Sequence, residues 1–317
     1  MHEVVVTGMG LCTALGEVPF ERSESGVAPH PELAGLRHTT AAVIDRVELR
    51  AWLKRRKDRK LMARPAQLAL AAAGPALHGS PADRDRMGLY VGVGREPGDD
   101  GESAPALIAA QVDGRLDEAA VAGPCRDVYP PLLPLKTLPN MALAHIAIHL
   151  DVRGENGAWC GGAAAGLTAL RAAVWSIREG RCDTALVVAA DTWVSAGGVR
   201  DLLRIADGAA IDAPGEAGVA LLLESEAHAA ARGAPAMARV TTERAGASAR
   251  NLSEHHAALG DCHAADALLA VAMCIGEGRA PCWVQAQEGN QPAVGVAVAV
   301  EGGVACYPRD LAGGDRG

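Results

Sequence analysis

Short apolar runs, each stopped by glycine or by charge, recur along the chain. Val4-Val5-Val6 leads into a Thr7-Gly8-Met9-Gly10 turn, and residues 87–93, 185–189 and 218–223 repeat the form. The runs are continuous and not alternating, as expected of strands buried on both faces. Helical patterns lie between them. Residues 65–77 are rich in Ala and Leu, and residues 164–179 place apolar side chains at helical spacing before stopping at Gly180, a natural C-terminal cap. Alternation of this kind predicts α/β layers with parallel strands. Beyond Pro235 the pattern predicts strands at 237–242, 282–287, 293–300 and 305–307, with a helix over 264–276. Residues 96–104 read as a polar loop and 312–317 as a frayed tail.

Composition sharpens this picture. The 317 residues are 49% hydrophobic but only 3% aromatic, with Phe20 the single phenylalanine, so the core must be built from Ala, Val and Leu in close layers. A net charge of −8 argues against a nucleic-acid or anionic-membrane surface, which needs a basic face. There is no apolar run long enough for a membrane span, and the first residues lack the basic and apolar regions of a signal peptide. Eight scattered cysteines without a C-x-x-C pair read as thiols of a reducing compartment. The chain is therefore expected to be cytoplasmic, without membrane or nucleic-acid partners and without cofactor or metal.

Five segments in order resemble the β-ketoacyl synthases, the condensing enzymes of fatty-acid and polyketide synthesis. They are Val4 to Gly10; Leu138-Pro139-Asn140 followed by an Ala-rich stretch and Arg153-Gly154; Gly180-Arg181-Cys182-Asp183; Ile211 to Val219, which contains Pro214-Gly215-Glu216-Ala217-Gly218; and Ala229 to Gly233. The resemblance covers residues 1 to about 235 and fades afterwards. It implies a thiolase-like α-β-α-β-α fold of two similar halves: 1–234 as an N-terminal ketosynthase-like half and 235–317 as a shortened C-terminal half of one compact unit.

The family's nucleophile is a Cys on a strand-to-helix elbow, where a helix N-terminus favours thiolate and backbone N–H groups hold an oxyanion. Counting back from Gly180 and forward from Gly154 places that position at Ala163, inside Gly161-Gly162-Ala163-Ala164-Ala165-Gly166. Alanine cannot be acylated. Cys160, three residues earlier, is either a shifted nucleophile or a buried Cys on the preceding strand. The family's His-Gly-Thr strand is absent, and Asp261 stands where the Gly-His turn has its His. His263 is placed to substitute for it; the plainer reading makes this a polar N-cap region with Asp261 as the cap.

Other candidates carry less chemistry. His145 and His149 lie four apart on one predicted helix, but H-x-x-x-H without a third ligand reads as a helix surface or interface and not as a metal site. His255-His256 reads as loop. Lys54, Arg55, Arg56, Lys57, Arg59 and Lys60, with Arg64 beyond, form a basic cluster that either docks an acidic partner such as an acyl carrier protein or is a solvated face. The resemblance thus implies a non-catalytic, chain-length-factor-like subunit that pairs with an active ketosynthase, or with itself. The alternatives are a thiolase-fold adaptor without acyl chemistry and a residual acyl-transfer or thioester-hydrolase enzyme using Cys160 or His263.

Overall fold

The computed structural model describes residues 2–17, 25–35, 39–94, 100–206, 211–244, 246–278 and 281–300. Nine strands form one curled sheet: β1 (Val4–Thr13), β2 (Gly88–Val93), β3 (Asn156–Cys160), β4 (Thr184–Thr192), β5 (Glu216–Ser225), β6 (Ala238–Thr241), β7 (Ser248–Arg250), β8 (Cys282–Ala286) and β9 (Val294–Val300). Their order is β7-β8-β9-β6-β1-β5-β4-β2-β3. The expected all-parallel pairing is corrected. Only β2 with β3, β2 with β4 and β7 with β8 are parallel, and the remaining pairs are antiparallel. The predicted strand at 305–307 and the tail at 312–317 lie outside the described residues.

Every residue of β2, β4 and β5 is buried, which is what their unbroken apolar runs require. On one face lie α1 (Arg64–Leu77) and α3 (Met141–Leu150); on the other, α4 (Ala165–Arg178) and α7 (Asp266–Gly276) fill the space between β4, β5 and the later strands β8 and β9. The alanines keep these layers close. The first strand runs on through the glycines that the sequence suggests are a turn. A Cβ on Gly10 would lie 2.0 Å from the Ala72 carbonyl oxygen of α1, so the glycine is there to admit the helix. Gly180 caps α4 as expected, with a positive φ of 72° and its N–H donating to Ile177.

The two buried carboxylates of β5, Glu216 and Glu224, are paired. Glu224, fully buried at the end of β5, accepts hydrogen bonds from Thr7, Arg232 and His228, and these partners hold its carboxyl below the usual range although burial pushes it up. Arg64 turns inward to Glu216, at 2.9 Å, and so does not belong to the surface basic cluster.

The later strands are thinner. In β6 and β8, Arg239, Thr241, Trp283 and Gln285 alternate with buried residues and are half-buried or exposed. The loop expected at 96–104 is corrected from residue 100 on: α2 (Asp100–Ala109) is helical and accommodates Pro105. Of two further helices, α5 (Ala196–Ala206) borders the site, and α6 (Glu226–Ala231) packs on β1 and β5. No described helix is long and apolar enough to cross a membrane.

Candidate functional site

The elbow follows β3 and leads into α4. It lies on β2 at Gly92, where a Cβ would come within 2.6 Å of the Ala165 backbone. The Ala165 N–H donates to the Gly162 carbonyl, while the N–H groups of Ala163 and Ala164 have no backbone acceptor among the described residues. A helix N-terminus of this form has N–H donors without backbone acceptors and a positive dipole end, and Gly162 and Ala163 of this one line the cleft. Ala163, the position expected for a nucleophile, lines the cleft at this elbow. Beside it, the Glu288 carboxylate accepts the Gly162 N–H at 2.9 Å.

Cys160 is not buried, correcting one of its two readings. Its thiol is exposed on β3 and donates to the Gly94 carbonyl at 3.4 Å. Strand β3 is the last of the sheet and pairs only with β2 among the described strands.

The opposite wall comes from the turn before α7. Asp261 accepts the His263 backbone N–H at 2.8 Å, but the N-cap of the short turn His263–Ala265 that enters the helix is Cys262, which makes no side-chain cap, a correction to Asp261 as the cap. His263 has φ 49°, a left-handed conformation that costs a non-glycine residue about 1 kcal/mol or more and tends to occur at functional sites. That conformation aims the ring at the elbow: its Nε2 is 3.3 Å from where a Gly162 Cβ would be. Its Nδ1 donates to Asp191 Oδ2 at 2.7 Å, and the Trp193 ring packs against it at 4.1 Å between centroids. Asp191, at the buried end of β4, spends its other oxygen on the Thr192 N–H. Burial opposes charging His263, but the hydrogen bond and charge of Asp191, with Asp261 and Asp266 behind, outweigh it and raise the ring's pKa.

A second charged cluster lies behind this turn. Asp266 accepts from His255 Nε2 at 3.1 Å and from His256 Nε2 at 2.9 Å, and the Nδ1 of His256 reaches Asp212 at 2.6 Å. Both rings are buried in a helical turn, which corrects the loop expectation. Burial disfavours a charged His256, yet two carboxylates overcome this and bring it to about 9. Burial and the charge of Asp266 push Asp261 up to about 6.

Elbow, turn and cluster share a cavity of about 1120 Å³, whose other walls include Trp193, Leu202, Ile205 and Leu252, with Arg200 and Arg204 on α5. Ala163, Asp261 and His263 therefore meet at one site, and Cys160 stays on the sheet edge. The basic residues Lys54, Arg55, Arg56, Lys57, Arg59 and Lys60 are exposed around a short turn, Arg56–Leu61. His145 and His149 are buried beneath that turn, not on a surface. His145 Nε2 lies 3.1 Å from the Leu61 carbonyl, and His149 Nδ1 accepts the Lys54 N–H.

The profile of the β-ketoacyl synthase N-terminal domain matches residues 1–210. The chain belongs to the β-ketoacyl synthase family. No curated protein matches it in sequence. Among solved structures, the ishigamide ketosynthase/chain length factor superposes with a TM-score of 0.74 at 19% identity, over 95% of this chain and 100% of that one. A type II polyketide synthase acyl-carrier protein in complex with its ketosynthase bound to the hexaketide (AntDE:AntF) gives 0.70 at 14%, again over 95% and 100%. A β-ketoacyl synthase from Burkholderia phymatum STM815 gives 0.59 at 21%, over 76% of this chain and 63% of that one. At these identities the likeness is one of fold.

Within this ketosynthase fold, sequence reasoning missed Asp191 and Glu288. Asp191 is a charge closing the apolar run of β4, and Glu288-Gly289-Asn290 is a polar turn between two strands. Each was visible as a break in pattern, but neither could be matched to its partner, 72 and 126 residues away.

Proposed function

We propose that this chain is a chain-length-factor-like subunit that forms no acyl-enzyme and pairs with an active ketosynthase in a cytoplasmic polyketide- or fatty-acid-type assembly. The observation that carries this reading is an elbow complete in backbone, with a methyl group at the nucleophile's place. An alanine there removes covalent catalysis altogether, because no bond to an acyl carbon can form. Glu288 takes the neighbouring N–H and adds a negative charge beside the elbow, which disfavours a malonyl carboxylate at the same point.

The sheet edge supports pairing. The Gly161 N–H points inward to Val93, so the two-residue alternation sends that of Ala158 outward from β3, the last of the described strands. An open edge of this kind is a template for another strand. The segment before α3 exposes Leu107, Ile108, Leu116, Leu132 and Leu138, apolar surface that a partner would cover. The exposed basic turn at 54–60 is the complement of an acidic carrier protein. An adaptor without acyl chemistry calls for a filled cleft, and the cavity at the elbow favours the subunit reading over it.

The test is native mass on mixing the chain with purified type II ketosynthase subunits. A one-to-one species that Ala158→Pro abolishes supports the reading. A chain that stays monomeric alone and in every mixture contradicts it.

A further inference from the structure

An alanine elbow explains why no acyl-enzyme forms, but it leaves His263 unexplained. A ring held only for structure has no need to point an open nitrogen at the elbow. Here Nδ1 is fixed by Asp191 at 2.7 Å, Trp193 holds one face at 4.1 Å, and Nε2 is 3.3 Å from the Cβ position of Gly162. The strained φ of 49° maintains that aim. An Asp–His pair with its distal nitrogen beside a helix N-terminus is the base half of a hydrolytic triad, with the nucleophile's place left to water.

We propose that His263, positioned by Asp191, activates water for the hydrolysis of an acyl thioester held in the cavity, with the Ala163 and Ala164 N–H groups as the oxyanion site. The inference rests on the reading of the cavity as an acyl site, and it adds an activity to that reading. His263 Nε2 takes a proton from water as the oxygen bonds to the thioester carbonyl carbon. The carbonyl oxygen gains the negative charge and is met by the two N–H groups of Ala163 and Ala164 at the entrance to α4. The carbon–sulfur bond then breaks, the thiolate takes the proton from His263, and the products are a carboxylic acid and a thiol. No oxidant or further reactant is needed.

Five carboxylates face this ring or share its cavity: Asp191 from β4, Asp201 from α5, Asp261 from the turn, Asp266 from α7 and Glu288 after β8; the cations there are His256, held by Asp266 and Asp212, and Arg200 and Arg204, which pair with Asp201. The carboxylates set two further properties. Neutral acyl groups are preferred over malonyl, whose carboxylate meets like charge. The rate rises with pH as His263 loses its proton, at a higher pH than an ordinary histidine would require.

The experiment follows thiol release from acyl-N-acetylcysteamine thioesters by the full chain, with binding of the corresponding amide measured alongside. Release on the order of 100-fold above buffer is expected, as one general base typically supplies. His263→Gly suits the left-handed backbone and should keep the fold while abolishing release, and added imidazole should restore part of it. Asp191→Asn should move the rising limb of the pH profile to lower pH, since it removes the charge that stabilises the protonated ring. Cys160→Ala should release thiol like the wild type. Release at the buffer rate despite amide binding, or release unchanged in His263→Gly, overturns the inference and leaves the acyl site standing. Absence of amide binding overturns both.

Discussion

The strands before residue 226 and those after residue 237 differ in kind. In β4 and β5 every side chain is buried, and α1 on one side and α4 on the other hold them between two layers. In β6 and β8 alternate residues face outward and are half-buried or exposed. The first region is a closed scaffold whose geometry fixes the elbow. In the second, β6 and β8 bury one face among the described residues, and it is from this region that His263, Asp261 and Glu288 enter the site. A family that keeps the scaffold while altering the covering elements can lose one chemistry without losing the fold, which is why fold alone does not name the function.

Substitutions at matched positions sharpen the contrast. The largest effect is expected at Arg232→Ala, which leaves the fully buried Glu224 short of its main counter-charge and should cost about 3 kcal/mol or more in chemical denaturation. Leu222→Ala in β5, 1% exposed, should cost about 3 kcal/mol through lost burial and the cavity it leaves. Gln285→Ala, on the exposed face of β8, should stay within about 0.5 kcal/mol. Equal costs at Leu222 and Gln285 would break the comparison.

The two regions should also part in their response to pH. Glu224 belongs to the first, and its carboxyl is depressed in the folded state. Its contribution is present above the carboxylate's unfolded pKa and is lost as pH falls through the folded one. His263 belongs to the second and is raised. Its contribution is complete below the unfolded value and is lost as pH rises through the folded one. Denaturation across pH should show the acid-side loss flattened in Glu224→Gln and the neutral-to-basic loss flattened in His263→Gln.

The same contrast governs what could be read from the residues. Strands buried on both faces announce themselves as unbroken apolar runs, so β2, β4 and β5 and the helix after the elbow were legible. The place of the elbow was legible too, because counting back from Gly180 and forward from Gly154 falls on one register there. The first strand's full length was not, because Gly8 and Gly10 suggest a turn and in fact admit α1. Nor was α2, whose Gly101 and Pro105 look like loop residues. The Asp191–His263 and Glu288–Gly162 contacts join residues from different strands and turns, and only the packing of the sheet brings them together. The burial of Cys160, one of its two readings, fails because the strand order places β3 at the edge of the described sheet.

The central claim is that the elbow remains competent in backbone and lacks only a nucleophile. Intact mass after incubation with an acyl-loaded carrier protein tests it most directly, on the wild type and on Ala163→Cys. The account predicts no adduct on the wild type and one acyl group on Ala163→Cys, attached at position 163. A wild-type acyl adduct that disappears in Cys160→Ser would contradict it.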